Sequence, residues 1–172
     1  HSDFELIKDL EISWEVDWTK KHLNQIKDTY IKSPYFDLYF PMISNWFQKA
    51  KRFNSLSQMN IYFIKQILNQ LDIKREILCS SHLPVFATSS EYNLAITQHL
   101  GGYHYLSGKG GDNYQDEDIF SANSLELLKL DAKNYLEQKF SDYNINSSLS
   151  IVEMLMKVDI DTIKDGFSTV KI

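Results

Sequence analysis

A chain of 172 residues fits a single domain and buries roughly 70% of the surface its unfolded form exposes. Hydrophobic residues at 43% and aromatic residues at 13% suit a packed core and exclude a disordered chain. The net charge of −5 is uneven, with 11 basic and 10 acidic side chains in residues 1–86 against 7 and 13 in residues 87–172, so no basic patch is available for nucleic acid.

The chain opens at His1 without Met, and the expectation is a piece of a longer protein. Residues 5–13 place Leu10 and Ile12 on one face and predict a strand. Asp17 is placed to cap a helix from Trp18, where Trp18, His22, Ile26 and Tyr30 keep helical spacing until Ser33-Pro34. Pro41 fits the first turn of a second helix carrying Met42, Ile43, Trp46 and Phe47. The aromatic residues Tyr35, Phe36, Tyr39 and Phe40 just before it are expected in the core. Ser55 and Gln58 have capping-box spacing ahead of an apolar stripe, Leu56 to Leu71, which predicts a third helix. Residues 75–79 predict a short strand with Ser80-Ser81 as its polar exit.

Thr88 and Glu91 have the same capping-box spacing and open a helix that runs to Leu100, where Gly101 stops it. Residues 103–107 predict a largely buried strand, residues 114–122 a short acidic helix, and residues 125–131 another strand. Residues 132–146 are mixed and read as irregular, and Ser148 is placed to cap a helix through Ile151, Val152, Leu155 and Met156. Strands alternating with helices predict an α/β fold: one domain over residues 1–172, with a mostly parallel sheet and helices on both faces. The sequence shows no internal repeat and no apolar run of membrane length, no signal peptide is expected, and the single cysteine, Cys79, precludes an internal disulfide. The expectation is a cytoplasmic protein without membrane insertion.

The stretch from Leu100 to Tyr114 carries the best candidate site. A strand empties there into Ser107, Gly108, Lys109, Gly110, Gly111 and Tyr114, and α/β proteins bind ligands at such strand ends. If the loop binds a ligand, Gly108, Gly110 or Gly111 is expected at positive φ, with backbone N–H groups facing an open pocket. The loop has no phosphate-loop spacing and its flank is acidic (Asp112, Asp116, Glu117, Asp118). The plain alternative is a tight turn that needs glycine. Lys109 is the one cation in the loop, able to meet a phosphate or carboxylate. Ser80 and Ser81, after a predicted strand, are candidates to approach the same pocket, although serines are also ordinary turn formers. His22, one helical turn after Trp18, is the candidate base or orienting group, because imidazole changes charge near neutral pH. Cys79 and His82 have C-x-x-H spacing, but a zinc site needs two further ligands that the sequence does not offer, so no metal is expected.

The order of several short motifs resembles the WbqC-like family. They are Asp9-Leu-Glu-Ile-Ser13, Trp18-x-x-Lys-His22-Leu23, Tyr30-x-x-x-Pro34-Tyr35-Phe36, Ser80-Ser81-x-Leu83, the run Gly102, Tyr105, Gly108, Gly111, Tyr114, and Leu149-Ser150-Ile151-Val152. The resemblance implies a transferase-type protein acting on a nucleotide-activated amino sugar in bacterial surface-polysaccharide (O-antigen) biosynthesis, by acyl or aminoacyl transfer, with no cofactor. In that reading the loop from Ser107 to Tyr114 lines the pocket, with Ser80, Ser81 and His22 as polar contributors. The family pattern opens with an apolar strand and Gln-Pro-x-Tyr-x-Pro, which this sequence lacks, entering the pattern about a third of the way along. The alternative is a non-catalytic binding or assembly domain, inactive without that segment. A sheet missing its first strand leaves an edge or apolar groove exposed, so a homo-oligomer or a complementing segment is expected to cover it.

Overall fold

Ser33-Pro34 and the turn around Asn54 divide residues 18–70 into three helices, α1 (Trp18–Tyr30), α2 (Phe36–Ala50) and α3 (Leu56–Gln70). The computed structural model describes residues 5–108, 110–111, 115–145 and 150–168. These fall into two compact units, one of residues 1–75 with 140–172 and one of residues 76–139.

In the first unit, α2 buries Phe36, Tyr39, Ile43, Trp46 and Ala50, a single stripe at helical spacing, and packs against α1, α3 and α7 (Ile151–Lys157). Of the four aromatic residues before Pro41, Phe36 and Tyr39 are buried and Tyr35 and Phe40 half-buried. The helix begins at Phe36, so Pro41 lies inside it and not in its first turn. The missing N–H leaves only the Asp37 carbonyl without its helical donor, and Asp37 is exposed to water. α3 is capped as its sequence predicts, with the Ser55 hydroxyl accepting from the Gln58 N–H at 3.4 Å. It ends on Asp72 at φ 55°, with the Ile73 N–H returning to the Leu68 carbonyl at 2.9 Å. Lys164 of α8 (Ile160–Ser168) pairs with the Asp72 carboxylate there. α7 buries Glu153, Met154, Leu155 and Met156 in succession, and its N-cap is Ser150, whose hydroxyl accepts from the Val152 N–H at 3.2 Å. Ser148, predicted for that role, lies outside the described residues.

The second unit is a small βαβ arrangement. Strand β1 (His104–Gly108) pairs in parallel with β2 (Glu126–Leu130), and α5 (Glu117–Ala122) lies between them in the chain. α4 (Ser89–His99) precedes β1, and α6 (Ala132–Lys139) follows β2. Leu94, Phe120, Leu125 and Leu127 form the core, with Tyr105 and Ile119 packed against it and the Tyr105 ring stacked on Phe120 at 5.5 Å. Gly101 ends α4 at φ 69°, a left-handed position that suits glycine, and the Gly102 N–H closes onto the Thr97 carbonyl at 2.8 Å.

Helices thus dominate, and among the described residues the sheet holds two strands, parallel to each other. Of the four segments expected to build a mostly parallel sheet, residues 103–107 and 125–130 pair in parallel, and residues 6–13 and 75–79 add no strand to it. Residues 6–13 make a 3-10 turn, Ile7–Asp9, and one antiparallel bridge, Glu11 to Ser55, because the turn between α2 and α3 offers them no longer partner. Residues 75–79 form no strand: Cys79 is extended, but no ladder joins it to β1 or β2. Residues 132–146, read as irregular, contain α6, whose first turn is capped by Asp131 accepting from the Asn134 N–H at 3.1 Å. The predicted capping box at Thr88 is absent too. Thr88 makes no side-chain cap bond, and Ser89 takes φ 52°.

A candidate ligand loop at the end of strand β1

Along β1, burial alternates with the pleat: His104, Leu106 and Gly108 are exposed, Tyr105 is half-buried, and Ser107 is 6% exposed. Ser107 therefore points toward the core side of the strand, where its hydroxyl donates to the Gly108 carbonyl at 3.2 Å. The chain leaves the strand and returns at Gly111, which is buried. A Cβ at Gly111 would stand 2.0 Å from the Ser107 Oγ, so glycine is required there by close approach. The Gln115 N–H then donates to the Gly111 carbonyl at 2.8 Å, and the Asp116 N–H donates to the buried Ser90 hydroxyl at 2.8 Å. Asp116 in turn caps α5, accepting from the Asp118 N–H at 3.0 Å.

Gly108 and Gly110 have the opposite environment. Both are exposed, and among the described residues a Cβ at either would meet nothing within 4 Å. None of Gly108, Gly110 and Gly111 takes a left-handed φ, contrary to the expectation for a ligand-binding loop. Glycine serves packing at Gly111, and among the described residues nothing stands near the Cβ positions of Gly108 and Gly110. Lys109 and Tyr114 lie outside the described residues. One polar atom here is unusual: Gln115 Oε1 is buried with no hydrogen-bond partner among the described residues.

Ser80 and Ser81 do not stand at a strand end, because residues 75–79 form none. They belong to a 3-10 turn, Ser80–His82, closed by the His82 N–H on the Cys79 carbonyl at 2.9 Å, and both side chains are exposed. Among the described residues no hydrogen bond links either serine to Ser107, Gly108, Gly110 or Gly111. Cys79 is half-buried, and among the described residues no three His, Cys, Asp or Glu side chains gather to hold a metal ion.

His22 belongs to the first unit. It is exposed on α1, its ring edge-on to Trp18 at 5.5 Å and stacked on Phe47 at 6.2 Å, and Trp18 stacks on Trp14 at 5.1 Å. The Trp14 indole N–H donates to the Phe53 carbonyl at 2.9 Å. Just before α1, the Lys51 ammonium bonds Asp17 Oδ2 at 2.8 Å and the Thr19 hydroxyl donates to Oδ1 at 2.5 Å. These two contacts, Lys51 first, hold the Asp17 carboxyl down to about 2.

Two participants at the loop, Ser90 and Gln115, were missed by sequence reasoning. Ser90 was hidden inside the predicted capping box, and nothing in the local pattern marks Gln115. The family model of the WbqC-like protein family matches residues 1–165, a span that holds all of the second unit and most of the first. The chain belongs to the WbqC-like family. No curated protein and no solved structure matches it. In this WbqC-like chain, no helix among the described residues is long and apolar enough to cross a membrane.

Proposed function

We propose that this WbqC-like protein binds a nucleotide-activated amino sugar at the carboxyl end of β1, as a transferase-type protein of cytoplasmic surface-polysaccharide biosynthesis. The family match over residues 1–165 carries the reading. The βαβ arrangement supports it, because parallel strands gather ligands at their carboxyl ends, where the chain turns toward a helix. The exposed Gly110 has no side chain of the described residues within 4 Å of its Cβ position, so a sugar or phosphate can reach its backbone N–H. Ser107, Gly111 and Gln115 hold the loop's inner side, and Lys109 supplies the cation for a phosphate. Ser80, Ser81 and Tyr114 are the further candidate contacts. His22, on α1 of the first unit, is a candidate base in its own right, tested separately by His22→Gln. The reaction in this reading is transfer of an acyl or aminoacyl group to the sugar's amine.

Titration calorimetry with UDP-, GDP- and dTDP-linked amino sugars tests this on the full chain. Gly110→Val is the informative variant: its Cβ meets no atom of the described residues within 4 Å, so stability is expected to hold, while its bulk blocks the backbone there. Saturable binding by the parent chain, weakened at least tenfold in Gly110→Val, is the expected result. Equal binding in both removes the loop from the site. A second reading, a non-catalytic binding or assembly domain, is favoured by the packing role of Gly111 and by the exposed turn that holds Ser80 and Ser81. Binding without turnover in the presence of acyl and aminoacyl donors would favour it.

A further inference from the structure

We propose that the outer edge of β1 pairs with β1 of a second copy of the chain, antiparallel, about a two-fold axis at Leu106. The Glu126 N–H donates to the Tyr103 carbonyl at 3.0 Å, which sets the sense of the ladder. Alternate residues of a parallel strand face the same neighbour, so Tyr103, Tyr105 and Ser107 turn their main-chain groups to β2 while His104, Leu106 and Gly108 turn theirs outward. Among the described residues, no backbone hydrogen bond takes up the N–H or C=O of His104 or Leu106. A five-residue strand whose His104 and Leu106 main-chain groups have no outward backbone partner among the described residues, in a sheet that holds two strands among them, is a template for strand addition.

The edge is complementary to itself. A two-fold axis at Leu106 sets Leu106 beside Leu106 of the second copy and His104 opposite its Gly108. The three outward residues then become hydrogen-bonded pairs, with about six main-chain bonds across the axis. Leu106 is 40% exposed and gains an apolar neighbour. Among the described residues nothing lies within 4 Å of the Gly108 Cβ position, so no described side chain there obstructs the facing His104, whose Nε2 stands 3.3 Å from Glu126 Oε2 of its own chain. Charge points the same way. Edges are commonly protected by lysine or other charges, yet residues 103–108 contain no Asp, Glu, Lys or Arg, so pairing places no like charges opposite one another. β2 carries Lys129 and is the protected edge. Two five-residue strands bury less than a standard interface, which makes the dimer a concentration-dependent one.

Sedimentation equilibrium of the full chain over a wide concentration range provides the test. The parent chain is expected to pass from 20.1 kDa toward twice that mass as concentration rises. Leu106→Glu and Leu106→Lys each place like charges at the axis and weaken association at least tenfold. An equimolar mixture of the two variants regains it, because a carboxylate then faces an ammonium, and this recovery also shows that both variants are folded. A parent chain that stays monomeric throughout overturns the proposal and leaves the edge to a different protein. A dimer kept by both variants, or a mixture that fails to associate, overturns it equally.

Discussion

Gly111→Ala is the substitution whose cost the structure defines most closely. The added methyl group would stand 2.0 Å from Ser107 Oγ, 3.2 Å from Gln115 Cγ and 3.3 Å from Ser107 Cβ. The φ at Gly111 is not left-handed, so the cost is contact and not backbone strain. If Ser107 rotates away, its hydroxyl loses the bond to the Gly108 carbonyl in a site only 6% exposed, a loss of about 1–3 kcal/mol. If the loop moves instead, overpacking costs about the same, roughly 1–3 kcal/mol. For a chain of this size each kcal/mol lowers the melting temperature by about 2–4 °C. Adding Ser107→Ala removes the oxygen at 2.0 Å and leaves only contacts that give by tenths of an ångström. The double variant should therefore be more stable than Gly111→Ala alone, with a coupling of at least about 1 kcal/mol. Gly108→Ala and Gly110→Ala, which meet nothing within 4 Å, should stay within about 0.5 kcal/mol of the parent. Urea unfolding followed by circular dichroism measures all six chains, Ser107→Ala alone included to close the cycle. Parent-like stability in Gly111→Ala, or a double variant no better than the single, would refute the packing role of this glycine.

Three further outcomes follow from other parts of the fold. Ser55→Ala should cost about 1 kcal/mol through loss of the α3 cap, whereas Thr88→Ala should cost a few tenths at most, since Thr88 makes no cap bond; equal losses in urea titrations would contradict the distinction. Gly166→Ala drives a methyl group to 2.4 Å from Phe140 Cζ, and should destabilise by about 1–3 kcal/mol, with partial recovery on adding Phe140→Leu. The Asp17 carboxyl, held at about 2 against an ordinary 3.8, stabilises the fold above the ordinary value and loses that contribution as pH falls through about 2. The parent's urea midpoint should fall more than that of Asp17→Asn across this window, and parallel profiles would show that the Lys51 and Thr19 contacts contribute nothing.

Helices whose apolar residues recur at regular spacing were legible before the structure. α1, α2, α3 and α4 stand where Trp18 to Tyr30, the stripe through Ile43 and Trp46, the Ser55 cap and the Gly101 stop place them. Such elements are decided by local signals. Strands depend on partners that lie elsewhere in the chain, and this is where the reading failed. Residues 103–107 and 125–130 have each other and pair in parallel as expected. Residues 6–13 find only one bridge at Ser55, and residues 75–79 find no ladder. At the candidate site, the sequence marks the glycines but not what each one does. Gly111 is required by the Ser107 hydroxyl and Gly110 is left bare, a difference that depends on how the loop folds back on its own strand. For the same reason Ser90, far from the loop in sequence, was not recognised as the acceptor for Asp116.

Backbone amide chemical-shift mapping of the full chain, titrated with nucleotide-linked amino sugars, tests the central claim most directly. Saturable shifts clustered at Ser107, Gly108, Gly110, Gly111 and Gln115 are the predicted result. Shifts confined to α1 around Trp18 and His22, or none with any of the sugars, would contradict a ligand site at the end of β1.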